Sequence, residues 1–483
     1  MKILHDLNPS SVFKYFEDIC NIPHGSYNTK GLSDYCVDFA IEHNLEYVQD
    51  SLNNVIIYKQ GSTGYEDAPI LMIQGNLVMV CVKNEDVQHD FLKQPIELYI
   101  EDGFVRGRGT TLGGDDGIAI AYSLALLENN KIVHPPLEII FTTEEEVGME
   151  GALGLDESKL SGKHLINIDS EEENVFTVSC AGGTTISANV MGNTTSIEGD
   201  LYSIKITGLY GGHSGVDIHK PRENANKLLN LYLSALKEEL ELYIIHISGG
   251  LKNNAIPREA SVALVIQSGH IEEFKEIIDK VTQDISNRII KDEPDFETNI
   301  QYCENEISTC FDRDTTDSVI NFISAMPNGV ISMSQECEDM VETSLNLGVM
   351  KTEEDHISFE ISLRSSVTQA LENLKETVFT ICKENSVDYK VHSVYPGWAY
   401  KKDSFLRELM TTVHMNVYNK PPVIESIHAG LECGILASKI EDIDIVSIGP
   451  DIYDIHTPNE HMSISSASRC FEYLLAILKE IRN

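Results

Sequence analysis

Acidic and imidazole side chains recur in this sequence directly after short apolar runs. Gln74-Gly75-Asn76-Leu77-Val78 follows Ile70 to Ile73, and Thr142-Thr143-Glu144-Glu145-Glu146 follows Leu137 to Phe141. Asp169-Ser170-Glu171 follows Leu165 to Ile168, while Asp454 and His456 come after Ile443 to Ile448 and the Gly449-Pro450 pair. A fifth cluster, Gly113-Gly114-Asp115-Asp116, opens the Ala-, Leu- and Ile-rich stretch Gly117 to Glu128. In an open α/β sheet the site lies outside the carboxyl ends of the strands, so these groups converge if the runs are parallel strands. Bare carboxylates gathered in a cleft repel one another or take up protons unless a cation joins them. Mixed carboxylate and imidazole ligation suits zinc, with manganese or cobalt as substitutes.

Taken singly, each cluster has a plainer meaning. Glu144-Glu145-Glu146 is a solvated acidic turn, Asp115-Asp116 a helix N-cap, Asp169 a strand-end turn residue and His456 a structural histidine. Only their joint placement after buried strands separates a metal site from these readings. Gly107 to Gly114 is glycine-rich, but no Gly-Lys-Ser/Thr follows and the dinucleotide spacing fails, so nucleotide binding is set aside.

The elements that must position these groups read as two kinds. Up to about residue 185, strand-like runs (Asn54 to Tyr58, Ile70 to Ile73, Leu137 to Phe141, Leu165 to Ile168) alternate with helix-like ones (Ser11 to Cys20, Gly117 to Glu128), the signature of an α/β layer with a mostly parallel sheet. In the middle, Ser203 to Thr207, Ala260 to Ile266 and Ser358 to Leu363 alternate as half-exposed strands. Lys220 to Leu240 and Ile271 to Arg288 read as amphipathic helices beside them, giving an α+β pattern. The buried-strand character returns with Ile443 to Ile448, and Ser465 to Ile481 closes as a helix. The expected organisation is a catalytic α/β domain in two parts, residues 1–187 and 393–483, interrupted by an α+β domain over residues 188–392.

Composition narrows the function classes. Of 483 residues, 42% are hydrophobic, and 36 Lys and Arg against 76 Asp and Glu give a formal net charge of −40. Such a charge argues against nucleic acid and anionic membrane surfaces as partners. Met1 to Ser10 lacks the apolar core of a secretory signal, and no run approaches the ~18 apolar residues of a membrane span. The ten Cys are scattered without a C-x-x-C pair, which reads as reduced thiols in a cytoplasmic protein.

Longer segments carry a resemblance. Gly109-Thr110-Thr111-Leu112-Gly113-Gly114-Asp115-Asp116-Gly117-Ile118, Thr143 to Met149 and Leu165 to Glu172 resemble motifs of aminoacyl-histidine (Xaa-His, β-alanyl-histidine) dipeptidases. So do Gly211-Gly212-His213-Ser214-Gly215, Asn254-Ala255-Ile256-Pro257-Arg258, Tyr395-Pro396-Gly397-Trp398, Ile427 to Gly434 and His456-Thr457-Pro458, in the same order along nearly the whole chain. These enzymes are similar to the carnosine-splitting and carboxypeptidase-G-like metallopeptidases, which pair a two-zinc catalytic domain with an inserted lid.

The resemblance implies that Asp115 bridges two zinc ions, that Glu146 and His456 complete one, and that Asp169 belongs to the other. It implies Glu145 as the general base acting on a water whose pKa the metals lower toward ~7, and His213 as the oxyanion donor. Asn254 and Arg364 are assigned to the dipeptide carboxylate and Glu432 to its amine. It also raises a homodimer through the inserted domain.

One segment departs from the pattern. The family reads Gly-His-x-Asp where this chain has Gly75-Asn76-Leu77-Val78, so Asn76 and Val78 replace a zinc-binding imidazole and the carboxylate that orients it. The second ion is therefore expected to be weak or absent. Three readings stay open: a zinc dipeptidase for Xaa-His and related dipeptides, an inactive pseudoenzyme that keeps the dipeptide cleft, and an aminoacylase-like metallohydrolase.

Overall fold

The computed structural model describes residues 3–335 and 340–482, the side chains of 303–306 excepted. Met1 and Lys2, part of the segment read above as no secretory signal, lie outside them, as do the side chains of Cys303 and Cys337. None of the eight cysteines described is in a disulfide, and all but Cys81 are buried. No helix among the described residues is long and apolar enough to cross a membrane. The chain forms two compact units. One comprises Met1–Ser179, Tyr400–Ser426 and Leu431–Asn483, the other Cys180–Ala399 and Ile427–Gly430.

The first unit is built on an eight-stranded sheet. Its centre is four parallel strands in the order Leu137–Thr142, Leu71–Asn76, His164–Asn167, Asp444–Ser447. These strands are almost wholly buried along their length, as parallel strands covered on both faces must be. Glu46–Gln49 and Val55–Lys59 extend one side antiparallel, and Val175–Cys180 meets Asp444–Ser447 antiparallel on the other. The parallel character is thus confined to the strands that carry the polar clusters. The Leu71–Asn76 strand runs further than its apolar stretch: Gly75 and Asn76 still pair with Phe141 and Thr142. Helix Gly114–Glu128 is apolar nearly all round and buried. At Gly117 an added Cβ would lie 3.3 Å from the Phe16 ring, so glycine there permits close packing on helix Ser10–Cys20.

The second unit is a nine-stranded antiparallel sheet with helices Ala225–Glu239, Ile271–Ile289, Arg313–Ala325 and Thr368–Glu384. Its core joins strand residues such as Tyr202, Ile204 and Leu264 to helix residues such as Leu228, Tyr232 and Phe274. Two expectations need correction. The helix expected from Lys220 starts at Ala225, because Asn224 caps it, its side chain accepting from the N–H groups of Asn226 and Lys227, and Pro221 lies in the lead-in. The strand expected over Ser203 to Thr207 runs from Thr194 to Thr207. Its first half pairs with the edge strand Glu297–Phe311. That half is largely exposed, so no apolar alternation announced it.

Candidate active site

Four of the five polar clusters lie at or after the carboxyl end of a parallel strand, and the fifth, Gly113 to Asp116, opens helix Gly114–Glu128. Leu137–Thr142 leads into a short 3-10 turn, Glu145–Val147, and Asp444–Ser447 leads toward His456. Glu144 holds the turn in place: it adopts φ +57°, and its carboxylate accepts from the Tyr27 N–H at 2.8 Å. His456 Nε2 lies 3.2 Å from Asp115 Oδ2 and 3.0 Å from Glu146 Oε1. Ligand atoms of the three residues all lie within 4.8 Å of one another, and no other trio of His, Cys, Asp or Glu among the described residues does so. Donors on a tetrahedral zinc with ~2.0 Å bonds stand ~3.3 Å apart, so this trio fits one divalent ion with a position left over. Hydrogen bonds to Asp115 and Glu146 push the His456 pKa up to about 10, which registers how strongly the two carboxylates draw positive charge to this point.

Asp115 is set by its backbone. The chain is non-helical at Asp115 and Asp116, and regular helix begins at Gly117. The N–H groups leading into it converge on one buried carboxylate, Glu460, whose Oε2 accepts from Leu112 at 2.7 Å and Gly113 at 3.2 Å. Its Oε1 accepts from Gly114 at 2.8 Å and Asp115 at 3.4 Å. Glu460 stands four residues after His456, so a single side chain ties the loop of one ligand to the loop of another. Sequence reasoning missed it, since backbone N–H partners leave no trace in residue types.

Deeper in the same unit lies a polar ladder with one member from each parallel strand. Gln74 Nε2 donates to Thr142 Oγ1 at 3.0 Å, and Asn167 Nδ2 donates to Gln74 Oε1 at 2.6 Å. Ser447 Oγ donates to Asn167 Oδ1 at 2.5 Å. Glu432, 1% exposed, rests on this ladder, its Oε2 accepting from Gln74 at 2.7 Å and Thr142 at 2.6 Å. Burial pushes its pKa up to about 7. Asp116 is buried, and its Oδ2 accepts from the Asn76 N–H at 2.8 Å. Gly75 makes room for it, since a Cβ there would come 2.6 Å from that oxygen. Burial, then neighbouring carboxylates, raise Asp116, Asp169 and Glu145 well above the usual range. Asp169 is not brought into the Asp115–Glu146–His456 trio.

The second unit holds its own cluster. His213 Nδ1 accepts from the N–H groups of Gly215 at 3.2 Å and Val216 at 3.1 Å. Burial and the Arg364 guanidinium keep the imidazole neutral by lowering its pKa. Its proton therefore sits on Nε2, which is left as a donor. Arg364 is buried, donates Nη1 to the Tyr395 hydroxyl at 2.9 Å, and has no partner for Nε. His428, held by Ser344 Oγ at 2.7 Å, is driven down to about 3 by burial and Arg364, and so is neutral as well. Asn254 is exposed, its carbonyl accepting from the Ser214 N–H at 2.8 Å.

A carboxylate–imidazole trio beside a further glutamate, on the carboxyl rim of a central parallel sheet, defines the class as an α/β metallohydrolase. The comparisons make this specific. The model of peptidase family M20/M25/M40 matches residues 81–480, and the chain belongs to that family. It is 35% identical over 483 residues to the cytosol non-specific dipeptidase of Escherichia coli (strain K12), covering 100% of this chain and 99% of that protein. The crystal structure of aminoacylhistidine dipeptidase from Vibrio alginolyticus superposes with a TM-score of 0.95 at 34% identity, covering 99% of this chain and 98% of the other. Aminopeptidase PepT from Bacillus cereus ATCC 10987, at TM-score 0.62 and 16% identity over 98% of this chain and 99% of its own, shares the fold.

Proposed function

We propose that the chain is a metal-dependent dipeptidase acting on Xaa-His and related dipeptides. The observation that carries this reading is the trio Asp115, Glu146 and His456, two carboxylates and an imidazole at ligand spacing, with Glu145 next in sequence. Zinc suits the donors best, with manganese or cobalt as substitutes. When bound, such an ion lowers the pKa of water toward ~7 and polarises a carbonyl.

Glu145 then takes the water proton and passes it to the departing amine. Burial first, and then the neighbouring carboxylates of Glu432, Glu146 and Asp115, raise its pKa, which strengthens it as a base. Asp115, Glu146 and His456 fix the place of attack, and Glu460 fixes Asp115. Glu432, buried and anionic when deprotonated, suits a peptide ammonium. In the second unit, the Nε2 donor of His213 suits a developing oxyanion, while Arg364 and Asn254 suit a peptide carboxylate. Residues 188–392 would form the inserted domain, of lid or dimerisation type, between catalytic parts 1–187 and 393–483. The similarity to a cytosol enzyme supports a cytoplasmic location.

The test is hydrolysis of β-Ala-His and Gly-His by the chain supplied with zinc, manganese or cobalt. Cleavage should vanish with a chelator and return with the ion. Glu145→Gln should lower kcat by roughly 10²–10⁴-fold while the ion stays bound. Cleavage of N-acetyl amino acids but not dipeptides would replace this reading with an aminoacylase, and cleavage of neither would leave a binding protein.

A further inference from the structure

We infer that the chain holds a single catalytic ion, at Asp115, Glu146 and His456, and that an Asn76–Asp169 contact fills the place of a second. This rests on the metallopeptidase reading of that trio. The orientation of the Asn76 amide decides the matter. The Val78 backbone N–H lies 3.1 Å from Asn76 Oδ1. A backbone N–H can only donate, so the atom it meets must be the amide oxygen. The opposite end of the amide, Nδ2, is therefore the end turned to Asp169, 3.4 Å from Oδ1. An amide NH₂ offers hydrogens and no ligand lone pair, so Asn76 presents Asp169 with a hydrogen-bond donor where a metal would need a ligand.

The surroundings hold Asn76 in that state. Its own N–H is taken by Asp116 Oδ2 at 2.8 Å, and residue 76 is 2% exposed, still paired within the sheet. Turning the amide over would set NH₂ against the Val78 N–H. Val78 is 1% exposed and apolar, so no acceptor stands two residues on to orient a ring at position 76. Asp169 and Asp115 remain as carboxylates, but no second set of three ligand atoms comes within 4.8 Å among the described residues. Two carboxylates without an imidazole are too few for a closed protein site for zinc.

The experiment counts metal. The full chain is equilibrated with zinc, freed of loose ion by gel filtration, and assayed for zinc per chain by mass spectrometry. One ion per chain is expected for the natural sequence and two for an Asn76→His, Val78→Asp double variant. Two tightly held ions in the natural chain would overturn the inference, and so would one in a double variant that folds. A manganese-loaded natural chain gives an independent reading if the variant fails to fold. An uncoupled Mn²⁺ electron paramagnetic resonance spectrum is expected, and the exchange-coupled signal of a manganese pair would overturn it. Dipeptide hydrolysis is measured on the same samples. No cleavage with one ion bound would sink the proposed function and leave the count standing, whereas cleavage with two ions would do the reverse.

Discussion

Glu432 shows how one buried carboxylate ties the site to the stability of the unit around it. Its Oε2 is shared by Gln74 and Thr142, while Oε1 is buried without a partner. Burial lifts its pKa from the usual 4.5 to about 7. The folded state thus binds the Glu432 proton more tightly than the unfolded chain does. The group's contribution to stability is full below about pH 4.5 and is lost as the pH rises through about 7, on the order of 3 kcal/mol across the window. Thermal unfolding of the chelated protein, followed from acid to neutral pH, should therefore show a decline that Glu432→Gln flattens. An unchanged slope in that variant would mean that the carboxylate reaches water.

At the scale of the element, the loop from Leu112 to Asp115 depends on Glu460. Removing that carboxylate leaves up to four N–H groups without an acceptor, three of them buried, at ~1–3 kcal/mol for each buried group left unpaired. Glu460→Ala is expected to weaken ion binding by ~10–100-fold, as loss of a group that orients a ligand does. Glu460→Gln, which keeps one acceptor oxygen, should recover part of it. A titration with zinc reads the effect directly, and equal affinity in all three proteins would deny Glu460 this positioning part. The four parallel strands were legible in the sequence because strands buried on both faces must be apolar throughout. The trio Asp115, Glu146 and His456 was legible through the motifs it shares with known peptidases. Glu460 and the ladder Thr142, Gln74, Asn167 and Ser447 were not, because their partners are backbone groups or residues 68 to 280 positions away. The start of the Ala225–Glu239 helix was misjudged for a local reason, the cap at Asn224, and the outer half of the Thr194–Thr207 strand because its exposed face carries no periodic signal.

At the scale of the molecule, the catalytic sheet is assembled from distant parts of the chain. Ser447 reaches Asn167 across 280 residues of sequence, and Asp444–Ser447 pairs in parallel with His164–Asn167. The intervening stretch includes the second unit, a self-contained fold with its own core. On the ribosome, at ~5–20 residues per second, the His164–Asn167 strand waits ~15–60 s for its neighbour. During that delay one edge of the nascent sheet stays bare, a surface on which aggregation starts. His456, emerging later still, is the last member of the trio to be made, so no nascent chain that stops short of it can carry the whole trio. Pulse proteolysis of stalled nascent chains should find residues 180–399 protected before the first unit is. Simultaneous protection of both would mean that the second unit needs the finished first unit in order to fold.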